Sequence, residues 1–295
     1  MIAGALERFK EGKGVWPTVP AFVFLTIFFI APMLVLFSFG FTTIERGQVM
    51  GTGFTLQYLT ETLQDDLFWR VWWKSFYVGV ISTVVCLLLA YPVAYVYTLV
   101  GRRTQMLILI LTIAPLLTSA IVRTYAWLVI LGGRRGVINS ALIELGIITR
   151  PIRMLNTDFA VIVGMTQVHL PFMILPLITV LAMRDRNLEA ASLGMGASRV
   201  QTFFRVVLPM SVPGIVAGLT IVFALSYTNF IIPQLLGGGA YTTLAVQVYE
   251  SIVVILDWSK GAMLALLLLG SCFVFIMLIG LVGNRLMKWM EPARS

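Results

Sequence analysis

Charge is what this chain has least of. Asp, Glu, Lys and Arg together supply 12% of its 295 residues and histidine occurs once, whereas soluble domains carry about a quarter charged residues, so a water-facing globular surface is excluded. Cysteine is limited to Cys86 and Cys272. Both fall in long apolar runs with no neighbouring ligands at metal spacing, which excludes a disulfide scaffold or a metal centre and leaves two buried apolar thiols. The phosphate-cradling pattern Gly-x-x-x-x-Gly-Lys-Ser/Thr is missing, so the chain carries no ATP site of that kind. The apolar runs contain no carboxylate, which removes paired-carboxylate, Ser/His/Asp and metal-assisted chemistry and with them a membrane-embedded enzyme.

What is abundant is apolar length. Hydrophobic residues make up 59% of the chain and the mean hydropathy is +0.95. Several runs reach the roughly 20 residues that cross about 30 Å of hydrocarbon. They predict an all-α integral membrane protein with six transmembrane helices near 17–42, 71–99, 105–131, 159–183, 211–235 and 261–286. The run from Val206 to Tyr249 is too long for one span; it is cut near Pro233, and the stretch from Gly237-Gly238-Gly239 onward is read as an outer loop. The first run is longer than the core of a secretory signal and lacks a small-residue cleavage site, so it stays as a span.

An even number of spans puts both termini on one side, and positive residues are retained in the cytoplasm. With the N-terminus inside, twelve Lys and Arg fall on inner segments and eight on outer ones, while acidic residues such as Glu61, Asp65, Asp66 and Glu144 lie outside. The expected topology is N-in, C-in. The pI near 9.8 then reflects the cytoplasmic face of the membrane and not nucleic acid, because the basic residues are scattered over short loops. The organisation reads as a cytoplasmic segment 1–16, a first span 17–42, an outer loop 43–70, a core 71–286 of five spans, and a cytoplasmic tail 287–295. Prolines 32, 92, 115, 171, 176, 213 and 233 sit in or at the ends of spans, where they kink helices or are absorbed by neighbouring ones.

The inner connection 184–209 mixes Ala, Ser and Gly with short apolar stretches. Asp185 or Asn187 can cap a helix through Leu188–Leu193, with Glu189 near its positive end and Gly194 and Gly196 supplying the turn that ends it. This places a cytoplasmic helix between spans four and five. The stretch resembles the signature loop of permeases of ATP-binding cassette importers: Glu-Ala-Ala, three residues, Gly, nine residues, Ile, one residue, Leu-Pro. Gly196, Val206, Leu208 and Pro209 hold the second half at the family spacing, with Val for Ile. Glu189-Ala190-Ala191 lies four residues before Gly196, not three; either the loop carries an insertion around Gly194-Met195, or Glu189 is not the family's glutamate.

Leu170–Leu177, Arg123–Trp127 and Phe230–Gly238 extend the likeness to spermidine/putrescine importers, over roughly residues 70–290. The resemblance implies a multi-pass subunit of the inner membrane that moves a polyamine by alternating access. It further implies two cytoplasmic ATPase subunits that bind ATP and Mg, a second permease, and an external substrate-binding protein; this chain would bind no cofactor. The loop segment Glu189, Ala190, Ala191, Ser192, Gly194, Gly196, Ala197 and Ser198 would seat in the ATPase, with Val206, Leu208 and Pro209 anchoring it to span five.

Polar groups at membrane depth default to functional candidates. Arg123, Tyr125, Trp127, His169, Ser226, Tyr227 and Asn229 are the candidate substrate path. Plainer roles stand beside this one for Arg123, bonding span ends or reaching for the interface, for His169, packed on another helix, and for the polar run Ser226–Asn229, bonding between helices. The missing carboxylates suit a weakly binding path that leaves selectivity to the external protein. They also leave room for an opine, aminophosphonate or amino-acid-like solute. An ion-coupled secondary transporter is the rival, and would normally carry intramembrane acidic or cation-binding groups.

Overall fold

The computed structural model describes residues 19–43, 52–133, 136–239 and 241–290. The expected inner segment 1–16 and the last five residues of the tail lie outside the described residues. Contacts divide the chain into two compact units: the residues up to Asp65 with Glu250–Leu267, and Asp66–Tyr249 with Leu268 onward.

In the smaller unit, helix α1 (Val19–Phe39) is apolar on all sides and buries nothing within the unit. A short antiparallel hairpin follows, β1 (Thr42–Thr43) with β2 (Thr52–Phe54), and then helix α2 (Gln57–Gln64). Phe39 meets the Trp258 ring edge-on, and the Ser259 hydroxyl donates to the Thr42 carbonyl at 3.2 Å. Among the described residues of 43–70, a short strand and a helix precede Asp66, where the next long helix begins.

The larger unit is built on three long helices: α3 (Asp66–Leu99), α7 (Asp158–Ala182) and α9 (Arg199–Tyr227). Between them run α4 (Arg102–Leu117), α5 (Ala120–Leu131), α6 (Val137–Glu144) and α8 (Arg186–Gly194); after them come α10 (Ile231–Leu236) and α11 (Leu244–Tyr249), and the part of α12 (Trp258–Met290) from Leu268 onward belongs to this unit. Cys86, Ala90 and Ala94 of α3, Met173, Leu177 and Leu181 of α7, and Val222 of α9 share one buried cluster. Small residues set the close approach: a Cβ on Gly218 would lie 2.5 Å from the Met173 sulfur, and one on Gly214 3.0 Å from Val180. Lipid tails give no hydrophobic drive between helices, so such close van der Waals packing supplies the association.

Three expectations are corrected. The third span, 105–131, is not one rod: α4 and α5 meet at a 96° bend. Pro115 tightens the end of α4 into a 3-10 turn, and extended Thr118 and Ser119 carry the chain into α5. The fifth span starts at Arg199 and ends at Tyr227, earlier at both ends than 211–235. Its early start is possible because a π turn at Phe203–Val207 lets the Leu208 N–H reach the Phe203 carbonyl just before Pro209, which has no N–H to give. The stretch after Gly239, read as an outer loop, contains α11, with Leu244, Ala245 and Val246 buried. The Leu244 N–H there donates to the Ser75 hydroxyl of α3 at 2.7 Å. Pro92, Pro171, Pro176 and Pro213 all sit inside continuous helices.

Candidate functional site

The elbow at 184–209 is built from the loop outward. Asp185 caps α8 by accepting from the Asn187 N–H at 2.9 Å. At the other end the Gly196 N–H reaches the Leu193 carbonyl and the Ala197 N–H the Ser192 carbonyl, at 3.0 and 3.2 Å. This is the double C-cap that requires a left-handed residue, and Gly196 takes it at φ 88°. Gly194 remains helical and would meet nothing if given a Cβ, so the turn needs one of the two glycines and not both. Ser198 then opens α9: its hydroxyl accepts from the Gln201 N–H at 3.2 Å while the Gln201 side chain accepts from the Ser198 N–H at 2.9 Å.

Side chains tie this elbow to the long helices. Arg184, at the inner end of α7, is almost wholly buried and forms an ion pair with Glu189 of α8. Its Nη1 donates to the Thr98 hydroxyl of α3 at 2.7 Å, and its guanidinium lies 5.5 Å from the centre of the Tyr95 ring. Ser192 and Thr202 exchange a hydroxyl hydrogen bond at 3.0 Å, holding α8 to the start of α9. Phe203 packs edge-on against Tyr91 and Tyr95, and the Tyr91 hydroxyl meets that of Ser211 at 3.0 Å. α8 is therefore wired to α3, α7 and α9 at once. The other face of the elbow is open: Ala190 and Ala191 are exposed, as are Leu188, Leu193 and Met195, the last at 83%. Val206 and Leu208 are half-buried at the foot of α9.

The candidates at membrane depth behave differently from one another. His169 Nδ1 meets the Ser226 hydroxyl at 2.9 Å with both residues buried, so this pair joins α7 to α9. Tyr227 is fully buried, its hydroxyl 2.8 Å from that of Ser271 on α12. Asn229 accepts from the Ile232 N–H at 3.0 Å and so shapes the start of α10. Tyr125 is exposed on α5, and Trp127 packs on the cluster of Leu131, Val161 and Met165. Arg123 is half-buried, and its Nε and Nη1 are buried and donate to no partner among the described residues.

At the end of α7 opposite the elbow, Lys74 and Asp158 form an ion pair, the Tyr241 hydroxyl donates to Asp158 Oδ1 at 2.7 Å, and the Lys74 ammonium lies 4.9 Å from the Tyr241 ring centre. Burial first, and then the Asp158 carboxylate, push the Tyr241 phenol well above its ordinary pKa, so it remains a donor. This clamp holds the segment after α10 against the tops of α3 and α7.

Sequence reasoning missed Arg184 and Gln167. Arg184 counted only as an inner positive charge; its spacing of five residues before Glu189, across a helix start, was the available signal. The Gln167 side-chain oxygen is buried without a partner, and the signal was a polar residue four positions before Pro171.

Residues 90–294 match the family model described as "Binding-protein-dependent transport system inner membrane component". The chain is 34% identical over 241 residues to the spermidine/putrescine transport system permease protein PotB of Haemophilus influenzae, covering 82% of this chain and 84% of that one. It is 33% identical over 238 residues to PotB of Escherichia coli K12, covering 81% and 86%. Among solved structures, a chain of a bacterial ABC transporter involved in the import of the acidic polysaccharide alginate superposes with TM-score 0.73 at 16% identity, covering 94% of this chain and 98% of that one. A chain of the MetNI methionine ABC transporter in an inward-facing conformation superposes with TM-score 0.55 at 18% identity, covering 78% and 100%. The last two likenesses are of fold.

Proposed function

This chain belongs to the family of binding-protein-dependent transport system inner membrane components, as a multi-pass permease subunit of an ATP-binding cassette importer, and from that premise we propose that it moves a polyamine such as spermidine or putrescine by alternating access. Counting the bent pair α4 and α5 as one broken span gives six, with both termini in the cytoplasm under the positive-inside rule. The two ATPase subunits bind ATP and Mg, a second permease completes the path, and an external binding protein delivers the solute. The chain itself hydrolyses nothing and holds no cofactor.

The observation that carries the coupling role is the buried Arg184–Glu189 pair and its Thr98 contact. A push on the exposed face of α8 reaches α7 through Arg184, α3 through Thr98 and α9 through Ser192 and Thr202. ATP-driven closure of the ATPases is in this way turned into movement of three long helices, not of one loop. The polyamine assignment rests on the relatives' substrate and on the absence of fixed positive charge along α3, α7 and α9 at membrane depth. The experiment is ATP-dependent uptake of labelled spermidine and putrescine by the complete complex in proteoliposomes. Uptake that needs both ATP and the binding protein supports the reading; uptake driven by an ion gradient without ATPase subunits contradicts it.

A second reading is favoured by Arg123. A half-buried guanidinium with two unpaired nitrogens suits a carboxylate or phosphonate, and so an opine, aminophosphonate or amino-acid-like solute. Competition between spermidine and such acids in the same assay separates the two.

A further inference from the structure

α9 carries an apolar stripe at steps of three and four residues, Val212, Val216, Leu219 and Phe223, and α12 carries another, Phe275, Ile279, Val282 and Leu286. Both stripes line one groove of about 590 Å³, which Phe76 and Val80 of α3 complete. All of its lining is aliphatic, aromatic or glycine. The groove is a seam between helices in contact, since a Cβ on Gly283 of α12 would lie 2.4 Å from Val216 of α9. Rings shut one end: Phe76 and Phe275 stack with centroids 4.5 Å apart, and Phe223 meets Phe275 edge-on at 5.7 Å.

The opposite end, at Leu208 and Leu286, has charge beside it. Arg205 lies three residues before Leu208, and Arg285 precedes Leu286 and continues the face of Leu278 and Val282 at helical spacing. Both arginines are exposed, and neither has a hydrogen bond or an ion pair among the described residues. The acidic groups of the elbow are engaged elsewhere: Asp185 caps α8 and Glu189 pairs with Arg184. From Phe275 to Leu286, α12 rises about 16 Å at 1.5 Å per residue, half of a hydrocarbon layer about 30 Å thick. The groove therefore has the depth of one leaflet. Its charged mouth lies at the elbow's end of the unit, which the topology proposed above places in the cytoplasm.

We infer that this groove is a site for an anionic phospholipid of the cytoplasmic leaflet, with one acyl chain along the α9–α12 seam and the headgroup at Arg205 and Arg285. The walls offer no donor or acceptor, so a polar solute would lose its hydration there without return. An acyl chain loses none and gives the walls dispersion partners. The two guanidiniums select the headgroup, because they form charge-assisted hydrogen bonds to phosphate oxygens and favour net negative charge at the membrane surface. A transmembrane helix of another subunit would need a groove running through the full hydrocarbon thickness, whereas this one is stopped by Phe76, Phe223 and Phe275 after a single leaflet. The site rests on the topology proposed above and not on the identity of the transported solute.

The test places the complete complex in nanodiscs doped with a phosphatidylglycerol that carries a photoactivatable diazirine in its acyl chain. The matched phosphatidylcholine is the control, and labelled peptides are mapped by mass spectrometry. Labelling of α9 between Leu208 and Phe223 and of α12 between Phe275 and Leu286 is expected to be about tenfold stronger with the anionic probe. Arg205→Gln and Arg285→Gln, both surface changes, are each expected to lower it about fivefold. Leu278→Trp, which fills the groove, is expected to lower labelling by either probe. Equal labelling by the two headgroups, or parental labelling when both arginines are replaced, would overturn the site. So would unlabelled groove peptides together with a Leu278→Cys variant that cross-links to another permease chain, which would show a protein helix in the seam. Spermidine uptake by the same complex in proteoliposomes reports on the transport reading separately, so that either can fail alone.

Discussion

The elbow at 184–209 and the stretch of α5 and α7 around Arg123 and Gln167 use polar groups in opposite ways. At the elbow nearly every polar side chain that turns inward has a partner on another element: Arg184 with Glu189 and Thr98, Ser192 with Thr202, Tyr91 with Ser211. On α5 and mid-α7, Arg123, Thr166 and Gln167 keep buried polar atoms with no partner among the described residues. Paired groups make a rigid link that can carry a displacement; unpaired buried ones tie no second element and carry the cost of lost hydration. The difference separates the part of the helical unit built to transmit a displacement from the part whose polar atoms join nothing else in it.

The sharpest way to break the comparison is at Gly196. A proline there demands φ near −65° where the turn requires a positive value, and Gly196→Pro is expected to cut ATP-driven uptake by about a hundredfold or more while the protein still inserts in the membrane. Uptake and membrane fractionation on the same variant check it. Next comes Glu189→Gln, which leaves the buried Arg184 charge without its counter-ion. A destabilisation of about 3–5 kcal/mol is expected, seen as a lower melting temperature of the purified complex, and the joint change Arg184→Met with Glu189→Leu should recover much of it. If the single and joint changes were equally mild, the link would not be the rigid element described. Tyr241→Phe tests the outer clamp: loss of its bond to Asp158 is expected to cost about 1 kcal/mol, measured as a small fall in thermal stability. The smallest effect is assigned to Gly194→Ala. A helical glycine with open space at Cβ should gain up to about 1 kcal/mol on replacement, with uptake unchanged, whereas Gly196→Ala should lose stability.

Much of this was legible in the sequence because bilayer length, glycine and proline chemistry act locally. The helical segment after Asp185 and the turn at Gly196 followed from capping rules, and the membrane class followed from uncharged runs. What was not legible depended on partners distant in sequence. The break of the third span follows from Pro115 together with the extended Thr118 and Ser119, a conformation that nothing in an apolar run announces. The start of the fifth span at Arg199 depends on a π turn, which has no composition of its own. Ser226 and Tyr227 read as path residues because they are polar at depth; the structure joins them to His169 and Ser271 across helices. Gln167 escaped notice for the reverse reason: a single amide looks ordinary until its burial without a partner is seen.

The claim on which the account depends is that the exposed face of α8 is where the ATPase is met. Met195 is 83% exposed on that face, and the two native cysteines are buried, so Met195→Cys offers a selective handle in the assembled complex. Cross-linking from this position is predicted to capture an ATPase subunit, with a yield that changes when ATP is bound. Labelling of the same cysteine by a membrane-impermeant reagent from the outside, or an assembled complex in which it reaches no ATPase subunit, would contradict the account.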